Sequence, residues 1–141
     1  MNHIERYNNW LNHPYFDEET KAELSKISGN DKEIEDRFYR DLEFGTGGLR
    51  GIIGAGTNRM NRYVVRKASQ GLANFLLKES KTPSIAIAYD SRFKSREFAE
   101  ESACVFARNG IKTYLFDELR PTPELSFAVR YLKCDAGVVI T

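Results

Sequence analysis

The order of apolar and polar positions predicts that the chain opens with helices and continues as alternating strands and helices. In residues 1–40, apolar side chains recur at the spacing of the buried face of a helix. Asp17 and Asp31 are placed to cap the second and third of these helices. No Gly/Ser-rich or Pro-rich linker follows this all-helical extension, so we expect it to pack on the next part of the chain.

A longer helix is predicted after Asn61, which is a suitable N-cap residue. Its predicted apolar face contains Val64, Val65, Ala68, Leu72, Phe75 and Leu76. The apolar run from Ser84 to Tyr89 then shows no polar alternation. A run of this kind is typical of a strand that is buried on both faces of a parallel sheet.

Strand and helix patterns alternate from there to the end of the chain. A helix capped by Ser95 is followed by a strand over 111–116, and a helix capped by Thr122 is followed by a strand over 136–141. Such alternation predicts right-handed crossovers between parallel strands. The predicted fold class is α/β, a three-layer α/β/α arrangement with a mainly parallel (mixed) sheet, preceded by the small helical extension.

Composition and charge exclude several kinds of partner. The 141 residues are 41% hydrophobic and 29% charged, which suits a globular protein with one real core. A formal net charge of +1 provides no broad positive field for nucleic acid or an anionic membrane. No signal peptide and no apolar run of membrane-spanning length are visible. We therefore expect a cytoplasmic protein that binds neither nucleic acid nor membrane.

The cysteines and histidines do not indicate a metal site or a disulfide framework. Cys104 and Cys134 lie in apolar-patterned segments, without a C-x-x-C motif or a nearby histidine. We interpret both as small buried hydrophobic residues. His3 and His13 lack partners at the spacing of metal ligands, and no Ser/His/Asp or Cys/His arrangement is present.

A glycine-rich stretch at 42–61 contains six of the ten glycines, together with Arg50 and Arg59. Backbone N–H groups beside a guanidinium satisfy the acceptors of a phosphate group, so a phosphate-binding loop is one hypothesis. The glycine spacing does not match a dinucleotide-binding fingerprint, and Thr57 stands where a P-loop has its lysine. On spacing alone, a pair of turns joining two elements is equally consistent.

The strand ends indicate a second place where a ligand could bind. Ligands of parallel sheets gather beyond the carboxyl ends of the strands. This rule places the loops at 90–92 and 117–123 and the segment after Thr141 near one another. Asp90 and Arg92 could bind substrate there, although a local ion pair that fixes the loop is the commoner role of such residues.

Four motifs occur in a fixed order within residues 41–141. They are Phe44-Gly45-Thr46-Gly47-Gly48-Leu49-Arg50-Gly51, Ala88-Tyr89-Asp90-Ser91-Arg92, Arg120-Pro121-Thr122-Pro123 and Gly137-Val138-Val139-Ile140-Thr141. In this order they resemble the α-D-phosphohexomutases, the phosphoglucomutase/phosphomannomutase family. The helical extension resembles that of the long bacterial branch of the family, whose members are mostly α-phosphoglucomutases.

The resemblance implies a four-domain enzyme that interconverts glucose 1-phosphate and glucose 6-phosphate through an active-site phosphoserine and glucose 1,6-bisphosphate. The serine would follow Thr141, so we expect 1–40 to be an extension and 41–141 to be domain 1, truncated before the catalytic loop and inactive alone. Mg²⁺ would bind in the remaining domains of the same chain, and we expect no metal or cofactor on these residues. Phosphomannomutase, phosphopentomutase and a non-catalytic phosphosugar-binding module are the alternatives.

The resemblance also implies which residues belong to the site. The phosphate-binding set consists of Arg50, Thr46, Gly47 and Gly48. Within it, Arg50 matches the family arginine that faces the phosphoryl group. Asp90 and Arg92 would support the serine loop, and a catalytic residue is not expected among residues 1–141.

Overall fold

The computed structural model describes the whole chain, Met1–Thr141. The helices are α1 His3–Asn12, α2 Glu18–Ser25, α3 Asp31–Phe38, α4 Arg62–Glu79, α5 Ser95–Arg108 and α6 Thr122–Tyr131. The strands are β1 Phe44–Gly45, β2 Gly48–Leu49, β3 Ser84–Tyr89, β4 Lys112–Leu115 and β5 Ala136–Ile140. The chain divides into two compact units, Met1–Val64 (unit 1) and Val65–Thr141 (unit 2). The domain division at residue 40 stays a prediction.

An aromatic cluster forms the core of unit 1. The ring of Trp10 stacks on Phe16 with a centroid distance of 4.3 Å and meets Phe38 edge-on at 5.6 Å. Ala55, within the glycine-rich stretch, and Tyr63, just after it, are buried in the same cluster. The helical extension therefore packs on the segment after it, as the missing linker led us to expect.

Side chains cap the helices of unit 1. The carboxylate of Asp17 accepts a hydrogen bond from the first turn of α2, and the amide oxygen of Asn61 accepts one from the first turn of α4. Both caps were predicted from the sequence. The prediction for α3 is wrong by one residue, because Asn30 rather than Asp31 is the N-cap.

Unit 2 is built on a three-stranded parallel sheet with the order β4-β3-β5. The central strand β3 is buried on both faces. Ile85 and Ile87 pack with α4 and α5, whereas Ala86 and Ala88 pack with Leu125 of α6. The helices thus cover both faces of the sheet, which confirms the three-layer α/β/α class. The antiparallel pair β1–β2 forms a separate two-stranded sheet in unit 1.

Two predicted helix caps in unit 2 are wrong. Lys94 is the N-cap of α5, with a left-handed φ of +67°, and the Ser95 hydroxyl donates instead to the Asp90 carboxylate. Pro121 occupies the N-cap of α6, and Thr122 is already helical. For Ser95, the difference arises because a serine can lie in the first helical turn when its hydroxyl has another partner, here Asp90.

Two predictions of burial in unit 2 are also wrong. Phe75 is 58% exposed, because the buried side of α4 runs through Ser69, Ala73 and Leu76. Cys104 is exposed, and Cys134 is half-buried.

None of the helices combines the length and the apolar character that crossing a membrane requires.

Candidate functional site

The glycine-rich stretch folds into a short antiparallel hairpin, β1–β2. Phe44 lies opposite Leu49, and Gly45 lies opposite Gly48. The backbone φ is +85° at Gly47 and +132° at Gly48. Side chains with a Cβ rarely adopt such angles, so the tight turn requires glycine at both positions. The predicted turn and the hypothetical phosphate-binding loop are therefore the same segment, the hairpin β1–β2.

Arg50 follows the hairpin directly and is available to a ligand. Its side chain is exposed and makes no hydrogen bond or ion pair with the protein. Thr46 and Gly47, at the tip of the hairpin, are exposed as well. The residues expected to bind phosphate thus lie together in unit 1, next to a guanidinium that has no protein partner.

Arg59, the second arginine of the glycine-rich stretch, has a different environment. It is only 5% exposed, and its Nη2 lies 2.5 Å from Oδ2 of Asp36. Its Nη1 also donates to the carbonyl oxygen of Asn58 at 3.1 Å. The guanidinium of Arg59 is therefore committed to partners within the protein, unlike that of Arg50.

The base of the hairpin is held by residues 54–60, which we name the support loop. The N–H of Leu42, before the hairpin, donates to the carbonyl oxygen of Thr57 at 2.8 Å. On the other side, the N–H of Met60 donates to the carbonyl oxygen of Ile52 at 2.7 Å. Both legs of the hairpin are therefore bound to the same loop.

In unit 2, a cleft of about 490 Å³ lies at the carboxyl ends of the parallel strands. Its walls come from the loop after β3, which contains Asp90 and Arg92, and from residues 117–120 after β4. These are two of the loops that the strand-end rule brought together, so this prediction is confirmed for them. The side chain of Arg92 is exposed.

Asp90 fixes the loop through hydrogen bonds and not through an ion pair with Arg92. Its Oδ1 accepts from the backbone N–H of Arg92 at 3.0 Å and from the Ser95 hydroxyl at 3.1 Å. Its Oδ2 accepts from the hydroxyl of Thr141. The hydrogen bond from Thr141, above all, lowers the pKa of the Asp90 carboxyl.

The side chains of this chain do not form a cluster of metal ligands. No group of three or more His, Cys, Asp or Glu side chains could hold a metal ion. We therefore assign no step that passes through a metal to any residue described here.

The similarity of this chain to known proteins covers both the hairpin and the parallel sheet. A family model described as phosphoglucomutase/phosphomannomutase, alpha/beta/alpha domain I, matches residues 41–141. The chain belongs to the phosphoglucomutase/phosphomannomutase family. This match confirms the resemblance in the sequence motifs, and it includes both the hairpin and the strand-end cleft.

Curated relatives from staphylococci agree with this family. The phosphoglucomutase of Staphylococcus haemolyticus is 47% identical over 76% of this chain and 20% of its own length. That of Staphylococcus epidermidis is 41% identical over 95% of this chain and 24% of its own length. That of Staphylococcus aureus is 45% identical over 79% of this chain and 20% of its own length. The chain thus spans a fifth to a quarter of the length of these relatives. No solved structure matches it.

Proposed function

We propose that this chain is domain I of a phosphoglucomutase, which interconverts glucose 1-phosphate and glucose 6-phosphate. The relatives described above carry that name, and they favour glucose over mannose or a pentose as the sugar. The observation that carries the proposal is the exposed guanidinium of Arg50, which has no protein partner and follows a glycine hairpin. A phosphosugar is the partner that this arrangement would recognise.

In this proposal, Arg50 binds the phosphoryl group during transfer. Its planar guanidinium can donate two parallel hydrogen bonds to phosphate oxygens, each contributing about 1.5 to 3 kcal/mol. The hydroxyl of Thr46 and the backbone around Gly47 and Gly48 shape the pocket beside it. Because phosphoryl transfer depends mainly on positioning and on stabilising charge, a correctly placed guanidinium accounts for a large part of the rate.

Asp90 has a supporting role in the proposal. Besides its three side-chain hydrogen bonds, its N–H donates to the carbonyl oxygen of Ile140 at 3.2 Å. These contacts join the ends of β3 and β5, and would steady a serine loop after Thr141. Arg92 lies in the same loop as Asp90 and would contribute positive charge next to it.

The remaining components of the reaction come from the family and not from this chain. The complete enzyme would use Mg²⁺, glucose 1,6-bisphosphate and an active-site phosphoserine, all bound by its other domains or by the serine loop. We therefore expect the 141-residue chain to be inactive alone. The cytoplasmic location stays a prediction.

The role of Arg50 can be tested by replacing it with lysine in the full-length enzyme. Lysine keeps the positive charge but loses the planar fork, so we expect turnover of glucose 1-phosphate to fall by about tenfold or more. Arg108→Lys is the matched control, because Arg108 is also exposed and lacks a partner. Near-normal turnover of glucose 1-phosphate by the Arg50→Lys variant would remove Arg50 from the role.

The choice of sugar has its own test. Faster turnover of mannose 1-phosphate than of glucose 1-phosphate by the unmodified enzyme would favour a phosphomannomutase.

A further inference from the structure

A set of charged contacts joins the helical extension to the support loop. Nη1 of Arg37, in α3, lies 2.7 Å from Oε1 of Glu23, in α2, and 3.0 Å from the carbonyl oxygen of Ala55. The same Glu23 oxygen accepts the N–H of Ala55 at 3.1 Å. The two side chains together therefore satisfy both backbone polar groups of Ala55, which is itself buried.

The backbone of Arg37 contacts the support loop as well. Its carbonyl oxygen accepts the N–H of Asn58 at 2.9 Å. A Cβ atom added at Gly56 would lie 2.7 Å from this same oxygen, so the loop lies directly against the end of α3. Arg37 thus contacts the loop at three successive places, Ala55, Gly56 and Asn58.

The side chain of Arg37 is held in one position. It is only 15% exposed, and its Nε also donates to Oε1 of Glu33 at 2.8 Å. Burial works against its charge, but the hydrogen bonds and negative charges of Glu23 and Glu33 raise the pKa of Arg37 above the ordinary arginine value. Charged groups held in this way form a rigid support, because each of them is paired.

The hairpin itself contributes little to its own rigidity. Each of its strands has two residues, and an isolated two-stranded hairpin is marginally stable at best. Its orientation therefore depends on the base, where Leu42 and Ile52 are bound to the support loop. Arg50 lies between that base and the tip of the hairpin.

We propose that Arg37 is a positioning residue for Arg50. Through Ala55 and the support loop, Arg37 fixes the base of the hairpin, and with it the place of the Arg50 guanidinium. The inference rests on the proposed role of Arg50 in binding the phosphoryl group. It gives the helical extension a part in the reaction, although no residue of the extension would touch the substrate.

The first test measures amide hydrogen exchange in the 141-residue chain. In Arg37→Gln, we expect exchange at Leu42, at Met60 and in the hairpin to accelerate by about tenfold, because the bonds at the base open more often. Lys32→Gln is the control. Lys32 lies exposed on the same helix and has no partner, so removing its charge leaves exchange unchanged.

Two results of this first test would overturn the proposal. One is unchanged exchange at the base of the hairpin in Arg37→Gln. The other is an equal rise throughout unit 1, including the cluster around Trp10, since Arg37 would then stabilise the unit without acting on the hairpin. Glu23→Gln is a milder second variant, because glutamine keeps an acceptor for the Ala55 N–H. We expect it to give a smaller rise at the same positions.

The second test is a double-mutant cycle in the full-length enzyme. Arg37→Gln should lower kcat for glucose 1-phosphate by about tenfold, since small displacements of a catalytic group are costly. When Arg50 is already alanine, the same change should have an effect of less than about twofold. Equal effects in both backgrounds would show that Arg37 does not act through Arg50. Normal activity of Arg50→Ala alone would instead refute the proposed function, and the exchange data would still decide whether Arg37 holds the hairpin.

Discussion

Arg50 and Arg59 lie in the same glycine-rich stretch but have opposite environments. From the sequence, both were candidates for binding phosphate, because each is a charged residue among glycines. Arg59 is buried beside Asp36, whereas Arg50 is exposed and has no protein partner. A charge that is already paired inside the protein is costly to redirect toward a ligand, so of these two arginines Arg50 is the one whose guanidinium is available.

Asp17 is the residue for which the structure predicts a clear dependence on pH. Burial opposes its charge, but hydrogen bonds from Thr20, Tyr63 and Arg62 lower the pKa of its carboxyl from 3.8 to about 2. A carboxyl whose pKa is lower in the folded state stabilises the fold above its unfolded pKa. This contribution is lost as the pH falls through the folded pKa.

We therefore expect Asp17→Asn to be less stable than the original chain at neutral pH, with the difference disappearing between pH 3.8 and about 2. Asparagine can still cap α2, so the comparison isolates the charge. Urea unfolding followed by the fluorescence of Trp10, the single tryptophan, measures the stability of unit 1. A difference that stays constant down to pH 2 would contradict the assignment.

At the scale of elements, two glycines with different surroundings give opposite predictions. Gly56 has a φ of +134° and lies against the carbonyl oxygen of Arg37. We expect Gly56→Ala to destabilise unit 1 by about 1 to 3 kcal/mol or more, through backbone strain and the close contact. Gly71 lies in the middle of α4 with open space around it, and Gly71→Ala should stabilise that helix by about 0.5 to 1 kcal/mol.

Thermal unfolding followed by far-ultraviolet circular dichroism checks both glycine variants. The melting temperature should fall for Gly56→Ala and rise for Gly71→Ala. If both variants changed stability in the same direction, the backbone conformation at Gly56 would not be the deciding factor.

The elements also show why the sequence predicted some features and not others. The caps at Asp17 and Asn61 were predictable because a cap is a hydrogen bond to a residue three positions away. Ser95 was assigned wrongly because its partner, Asp90, precedes the helix and competes with the cap. Phe75 fits the apolar period of α4, but the buried face is set by contacts with β3 and α5, which the period does not contain.

For the candidate site, the motif around Arg50 was visible in the sequence, and its supports were not. Glu33 and Arg37 are four residues apart, which indicates only a pair on the surface of a helix. The contact of Arg37 with Ala55 joins residues that are 18 positions apart. Such a contact depends on how α3 packs against the support loop, and no local pattern predicts it.

At the scale of the whole molecule, the family match and the compact units have different boundaries. The match begins at residue 41, whereas unit 1 runs from Met1 to Val64. The hairpin thus belongs both to the family domain and to the unit whose core the helical extension provides. The aromatic rings of Trp10, Phe16 and Phe38 are all contributed by that extension.

We therefore expect that deleting residues 1–40 leaves the hairpin without a fixed base. Ala55 and Tyr63 would lose the apolar cluster around them, and amide exchange at Leu42 and Met60 should approach the rate of an unfolded chain. The amides of β3 provide the internal reference, because unit 2 has hydrophobic clusters of its own. Retained protection at Leu42 and Met60 would instead support a domain that starts at residue 41.

The contact between Gly56 and Arg37 also has a genetic consequence. The obstacle to a larger residue at position 56 is the backbone oxygen of residue 37, an atom that every amino acid carries. Because no replacement at position 37 can remove it, selection for suppressors of Gly56→Ala should return no substitution at position 37. As long as α3 lies against the support loop, any side chain at position 56 meets this backbone oxygen.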